Sequence, residues 1–231
     1  MIKVLNLYAG IGGNRRLWKD VEVTAIENNS EIAKIYQDFF PNDKVIVTDA
    51  HQFLLEHYKE FDFIWSSPPC PSHSKFRFMT TKMKNKKFLR KEVYPDMNLY
   101  QEILFLQHYF EGKFVVENVK PYYEPLIKPQ ECGRHCFWAN FVIINKKEKD
   151  KEFNIRGSKT RHKGLDISKY SLKTVRKDQV QNNCVNSEIG LYILELAFKK
   201  PQQTLTELNT NIRATEELVS ILPNPKGIGY P

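Results

Sequence analysis

No apolar run in the 231-residue chain approaches the roughly 20 residues needed to cross a bilayer, so no membrane-spanning segment is expected. Internal repeats and low-complexity segments are also lacking, which excludes repeat architectures. Cysteine is sparse. Cys70, Cys132, Cys136 and Cys184 form no regular framework, as expected of free thiols in a reducing compartment. Cys132, His135 and Cys136 supply at most three ligands and have no matching second cluster, so no metal is expected. Acidic residues are missing between Lys75 and Lys91, a stretch that carries Lys75, Arg77, Lys82, Lys84, Lys86, Lys87, Arg90 and Lys91. The opening Met1-Ile2-Lys3-Val4 enters a strand pattern at once and leaves no room for a signal sequence, so a cytoplasmic protein is expected.

What the chain does have is a core and a positive charge. With 41% hydrophobic and 13% aromatic residues it can bury one main domain with a small appendage. A net charge of +8 and a pI near 9.2 point towards a polyanion, because clustered basic residues release counterions from phosphates. A second basic stretch, Arg156, Lys159, Arg161, His162 and Lys163, continues to Lys173, Arg176 and Lys177. Either stretch alone also fits a merely solvated surface.

Strand and helix patterns alternate. Strands are expected at 2–8, 21–27, 44–50, 61–66 and 112–119, with helices after the first glycine turn and at 30–40, 51–58, 96–110 and 186–198. Ser30 is expected to cap the helix that it opens. Residues 135–144 read as a strand pair or one extended strand, and 145–180 as loop or a small irregular subdomain. A tail helix is expected between Thr204 and Leu222. The alternation predicts an α/β fold, Rossmann-like and doubly wound, on a mostly parallel sheet with a small basic irregular subdomain.

Function should gather at the carboxyl edge of such a sheet. Gly10, Gly12 and Gly13 make the first turn, Glu27 ends the second strand within reach of ribose hydroxyls, and Asp49 ends the third, suited to an adenine amino group. A glycine turn by itself also fits a nicotinamide dinucleotide enzyme, or a tight turn that holds no ligand. Cys70 follows the fourth strand in "WSSPPCPSHS", held on a restricted path by prolines, and Glu117 lies in "VVENV" of the fifth. A thiol, a carboxyl group and a nucleoside site at one edge make a reaction centre.

The motifs "LNLYAGIGG", "SSPPCPSHS", "VVENV", "RHCFWANF" and "VQNNCVNSEIG" resemble, in the same order, those of the S-adenosylmethionine-dependent DNA cytosine-C5 methyltransferases, over roughly residues 1–141 and 178–199. The resemblance implies a class I methyltransferase fold with S-adenosylmethionine as cofactor and S-adenosylhomocysteine as product. It further implies that Tyr8, Gly10, Gly12, Glu27, Asn28, Asp49, Ala50, Pro69 and Asn183 line the cofactor site. Cys70 would be the nucleophile, Glu117 would hold cytosine N3, and Arg134 would bind the O2 region. Ser74, Lys75, Arg77, Lys84, Lys86, Lys87, Arg161 and Lys163 would meet DNA, the basic run after Cys70 acting as a loop that closes over the duplex. The target base would be flipped out of the stack.

The pattern departs from the family in places. Family members read Arg-x-Arg where this chain has Gly133-Arg134-His135-Cys136, and counting back from Phe141 puts His135 at the second arginine. Asn6 and Tyr8 stand where Asp and Phe are commoner. Only about 40 residues fill the place of a large target-recognition region, so recognition falls to the segment 145–177, to the tail 201–231, or to a partner subunit. The domains expected are a catalytic one at 1–144 plus 178–200, that segment, and that tail. The resemblance implies an enzyme acting on double-stranded DNA. A monomer is expected because nothing in the sequence forces a symmetric interface, and richness in Lys, Asn and Ile points to an AT-rich genome and so to a bacterial or phage-infected cell. The alternatives are an RNA (tRNA) cytosine methyltransferase and a catalytically idle DNA-binding relative.

Overall fold

The computed structural model describes residues 1–82, 91–144 and 164–199. Two compact units divide the chain, Met1–Ala197 and Phe198–Pro231, and the description that follows is of the first. Lys84, Lys86, Lys87, Arg161, Lys163 and the expected tail helix lie outside the described residues.

Short β-branched and aromatic runs form the strands β1 (Ile2–Leu7), β2 (Val21–Ile26), β3 (Lys44–Ile46), β4 (Phe63–Ser66), β5 (Lys113–Val119), β6 (Gln130–Cys132) and β7 (His135–Ala139). They make one sheet in the order β3-β2-β1-β4-β5-β7-β6. The first five are mutually parallel, and β7 runs antiparallel to both β5 and β6. Helices α1 (Ser30–Phe39), α2 (Ala50–His57), α3 (Lys75–Lys82), α4 (Asn98–Tyr109), α5 (Lys177–Asn182) and α6 (Ser187–Phe198) complete the unit.

Alternation along the strands divides the core into two layers. Leu5, Leu7, Ile64, Phe114 and Val116 face one side, where they meet Leu54 of α2 and Leu99, Ile103 and Leu106 of α4. Val4, Phe63, Trp65, Val115 and Phe137 face the other, against Ile189, Ile193 and Leu194 of α6. This is the doubly wound, mostly parallel α/β architecture expected. Strands buried on both faces read as continuous apolar runs, as "FIWS" does.

Several local expectations need correcting. No α-helix follows the glycine turn: a single 3₁₀ turn, Arg15–Leu17, leads by way of Asp20 at φ 55° straight into β2, which leaves too few residues for a helix. The cap of α1 is Asn29, whose side chain accepts from the backbone N–H groups of Glu31 and Ile32 at 2.9 and 3.2 Å; Ser30 is already the first helical residue. Asp49 does not end a strand. It caps α2, accepting from Gln52 N at 2.8 Å, because β3 stops at Ile46. The short strand β6 and helix α5 had no periodic apolar signal long enough to show in the sequence.

Residues 164–176 contain neither helix nor strand but are docked on α1. Leu165 and Ile167 are buried with Ile11 and Ile35. Backbone N–H groups of Lys173 and Thr174 donate to Glu31, and Tyr170 donates its hydroxyl to Asp38 at 3.0 Å.

Candidate active site

Register brings the site together. Leu7 is paired with Ile26 on one side and Ser66 on the other, and Ser66 is paired with Val116. The next residues along these four adjacent strands are therefore Tyr8, Glu27, Ser67 and Glu117, one rung beyond the paired ladder at the carboxyl edge. The Cys70 loop departs from the same rung.

On the β1–β2 side the backbone is turned sharply. Tyr8, Gly10 and Gly12 all have positive φ, at 54°, 56° and 82°. Open space lies where a Gly10 side chain would project, whereas a Cβ on Gly12 would come within 2.2 Å of Phe40. Gly10 N–H donates to Glu27 Oε2 at 3.0 Å and Asn29 N–H to Oε1 at 2.9 Å. Burial raises the Glu27 pKa and these backbone donors oppose the rise. Each carboxylate oxygen keeps acceptor capacity for a further donor. Asn28 and Asp49 are exposed beside it, and Ala50 is buried at the start of α2.

The C-terminal motif closes against this turn. A Cβ on Gly13 would lie 2.5 Å from Val185 O, and one on Gly190 would lie 2.2 Å from Asn14 O. These glycines let α6 and the 183–185 segment approach the backbone of the turn, with exposed Asn183 ending α5. Within the turn, buried Asn6 and Asn14 bond to each other side chain to side chain at 2.8 Å.

A buried network missed in the sequence supports Tyr8 from below. Glu102 of α4 is wholly buried and receives Tyr8 O–H at 2.5 Å and Ser66 O–H at 2.5 Å, with His51 Nδ1 at 3.2 Å. Burial, then the Glu102 charge, pushes the Tyr8 hydroxyl far above its ordinary value. The hydrogen bond to Glu102 raises the His51 pKa against the opposing effect of burial. One signal could have exposed Glu102: it lies on the same helical stripe as Leu99, Ile103 and Leu106, where an unpaired carboxylate would be costly.

On the β4–β5 side Cys70 is half-buried, and its carbonyl accepts from His73 N and Ser74 N at 3.0 and 3.1 Å. Burial first and the Glu117 charge second raise the Cys70 thiol above its ordinary pKa. Asn118 Nδ2 donates to Pro68 O at 3.0 Å, which ties the cysteine loop to the strand that carries Glu117. Pro69 is exposed between them. Glu117 is 6% exposed, and His135 Nδ1 lies 2.5 Å from its Oε1. Arg134 is exposed on the turn between β6 and β7, and the side chain of His135, the next residue, reaches Glu117.

Beyond the loop, α3 carries exposed Lys75 and partly buried Arg77, preceded by Ser74, which bridges to Pro121. Phe76 and Met79 are exposed on the same helix. Among the described residues no three His, Cys, Asp or Glu side chains are grouped to hold a metal. Cys132 and Cys136 belong to the cores on opposite faces of the sheet.

None of the curated proteins matches the chain significantly. Among solved structures, a mutant DNMT2 of Spodoptera frugiperda is 19% identical, with a TM-score of 0.39, covering 64% of this chain and 54% of that one. A putative methyltransferase from Escherichia coli, yhhF, is 15% identical over 60% of this chain and 74% of that one, with a TM-score of 0.39. A putative DNA modification methyltransferase encoded in an Escherichia coli prophage is 20% identical, with a TM-score of 0.35, over 54% and 34%. The model of the C-5 cytosine-specific DNA methylase family matches residues 2–125, a span that holds the glycine turn, Glu27, Cys70 and Glu117. That is more than half of the 231 residues, and the chain belongs to the C-5 cytosine-specific DNA methylase family.

Proposed function

We propose that this chain methylates C5 of cytosine in double-stranded DNA, using S-adenosylmethionine. The observation that carries the reading is the convergence of the Cys70 loop and the Glu117 strand at the carboxyl edge: Asn118, next to Glu117, donates to Pro68 O and fastens the two segments together. A half-buried thiol and a buried acid at the edge where a nucleoside cofactor would bind support a reaction centre.

The residues present fit the cofactor. Gly10 leaves a cradle that a side chain would fill, and Glu27 holds two partly satisfied oxygens against the same turn. Tyr8, Gly10, Gly12, Glu27, Asn28, Asp49, Ala50, Pro69 and Asn183 would hold it, with Glu27 on the ribose hydroxyls. When bound, S-adenosylmethionine supplies the electrophilic methyl group that C5 takes.

Cytosine C5 is a poor nucleophile, and the chain's task is to enrich it. Cys70 gives its proton to solvent and its sulfur bonds to C6; the ring electrons move towards N3, which takes a proton from Glu117. The enamine so formed is nucleophilic at C5. Once C5 carries the methyl group, loss of the C5 proton to solvent, breaking of the sulfur–C6 bond, uptake of a solvent proton by the freed thiolate and return of the N3 proton to Glu117 restore the protein. The Glu117 charge that disfavours the thiolate is removed when that carboxyl binds N3 protonated, so the nucleophile is released as the base enters.

A stacked base cannot reach this edge, and flipping costs a few kcal/mol. Ser74, Lys75 and Arg77, and beyond the described residues Lys84, Lys86, Lys87, Arg161 and Lys163, are the proposed phosphate contacts that offset it. The 145–177 segment and the 201–231 tail are the proposed sources of target recognition within the chain, unless a partner subunit supplies it.

The test is methyl transfer from labelled S-adenosylmethionine to unmethylated duplex DNA, with RNA in parallel and base-resolved mapping of the product. Label on DNA cytosine C5 that disappears with Cys70→Ser supports the reading. Label on RNA alone would assign the chain to RNA, and none on either would identify an idle module or one that lacks its partner.

A further inference from the structure

We infer that His135 is a positioning residue for Glu117: its imidazole, bonded through Nδ1–H to Oε1, holds the carboxyl in the orientation from which it meets the base. The inference rests on the role proposed above for Glu117. Register places the pair. Phe137 stands opposite Glu117 and His135 opposite Val119 in the β5–β7 ladder, so Glu117 and His135 are diagonal neighbours on one face. Gly133, at φ 58°, turns the β6–β7 hairpin so that His135 begins the strand. The Nδ1–Oε1 distance is 2.5 Å, and the side chains are only 15% and 8% exposed. An imidazole bonded through Nδ1 to one carboxylate oxygen leaves the other oxygen for the base.

Glu117 acts electrostatically on Cys70, from the loop after β4, and on Cys136 of the opposite face; Lys75 of α3 and the ion-paired Lys120 and Glu131 also act on Cys136, and Arg134 precedes His135 at the turn. Helix α6 presents Ile189 and Ile193 to this face of the sheet. In the addition step Glu117 gives its proton to N3, and the carboxylate left behind keeps the donated Nδ1–H; on elimination the N3 proton returns. Glu117 ends the cycle with the proton that it began with, and the one proton released is that from C5.

His135→Asn keeps an amide N–H near the Nδ1 position, and His135→Leu does not. His135→Leu should lower kcat by about 10²-fold with KM for S-adenosylmethionine unchanged. His135→Asn should recover about tenfold of that loss. Equal activities for the Asn and Leu variants would overturn the inference. A readout free of catalysis separates it from the proposed function: the wild type should show a downfield, slowly exchanging imidazole N–H proton signal that vanishes in His135→Asn and shifts in Glu117→Gln. Absence of that signal overturns the pairing, whereas its presence in a chain inactive on every nucleic acid supports the pairing and counts against the methyl-transfer reading.

Discussion

The two halves of the carboxyl edge are built differently. On the β1–β2 side Glu27 is held by backbone N–H groups, and between the two halves wholly buried Glu102 of α4 receives the hydroxyls of Tyr8 after β1 and Ser66 of β4. On the β4–β5 side Glu117 is held by a histidine, and it stands near a half-buried thiol whose pKa it raises. The first arrangement suits a surface that binds the same ligand each turnover, because preorganised donors need no rearrangement. The second suits groups that must exchange protons. Binding geometry is set in the backbone, and proton chemistry is left to side chains.

The largest effect should come from the thiol. Cys70→Ser should reduce methyl transfer by about 10³-fold or more, since a hydroxyl is a far weaker nucleophile, with no change in melting temperature. A fall in melting temperature with activity retained would move Cys70 from chemistry to packing and erase the contrast between the halves.

The binding half should respond in stability. Glu102→Ala strands Tyr8 and Ser66 hydroxyls and opens a cavity, at about 2–4 kcal/mol in chemical denaturation. Gly12→Ala forces φ 82° on a residue with a side chain and drives its Cβ against Phe40, at about 1–3 kcal/mol. Both should be destabilising without altering the reactivity of Cys70 in the fraction still folded.

Glu117→Gln sharpens the comparison from the other side. Removing the carboxylate charge lowers the Cys70 pKa, so alkylation of Cys70 at a fixed pH below that pKa should be several-fold faster than in wild type. A slower reaction would reverse the sign. Burial, the larger cause, remains in the variant, which keeps the gain modest.

How much of this was legible in sequence follows the same division. Cys70, Glu117 and the glycine turn stand in short motifs at the ends of strands, and the β-α alternation places strand ends at one edge. Glu102 and His51 were missed because their partnership spans 51 residues and depends on packing α4 against the edge of β1 and β4. In the sequence His135 stands out as a departure from the arginine pattern and beside Cys132 and Cys136; the contact with Glu117 depends on antiparallel register, which spacing does not fix. The helix expected after the glycine turn failed because Trp18 enters the core directly from the end of a 3₁₀ turn. Asp49 kept its place near the edge, although as a helix cap and not as a strand end.

The smallest effect should be pH-linked. His51 has a folded pKa raised above 6.5 by its hydrogen bond to Glu102, so the stability it adds is full below the unfolded value and is lost as pH rises through the folded value. His51→Gln should flatten wild-type stability across that window, followed by thermal melting at a series of pH values. A variant as pH-dependent as wild type would detach His51 from the network.

The central claim is that Cys70 adds to cytosine C6, and it is tested most directly by trapping the adduct. Fluorine at C5 cannot be removed as a proton, so elimination is blocked once the methyl group has been transferred. Incubated with S-adenosylmethionine and duplex DNA bearing 5-fluorocytosine, the wild-type chain should gain the mass of the oligonucleotide plus one methyl group, with the modified peptide containing Cys70. No adduct on DNA, an adduct confined to RNA, or attachment at another residue would contradict the account.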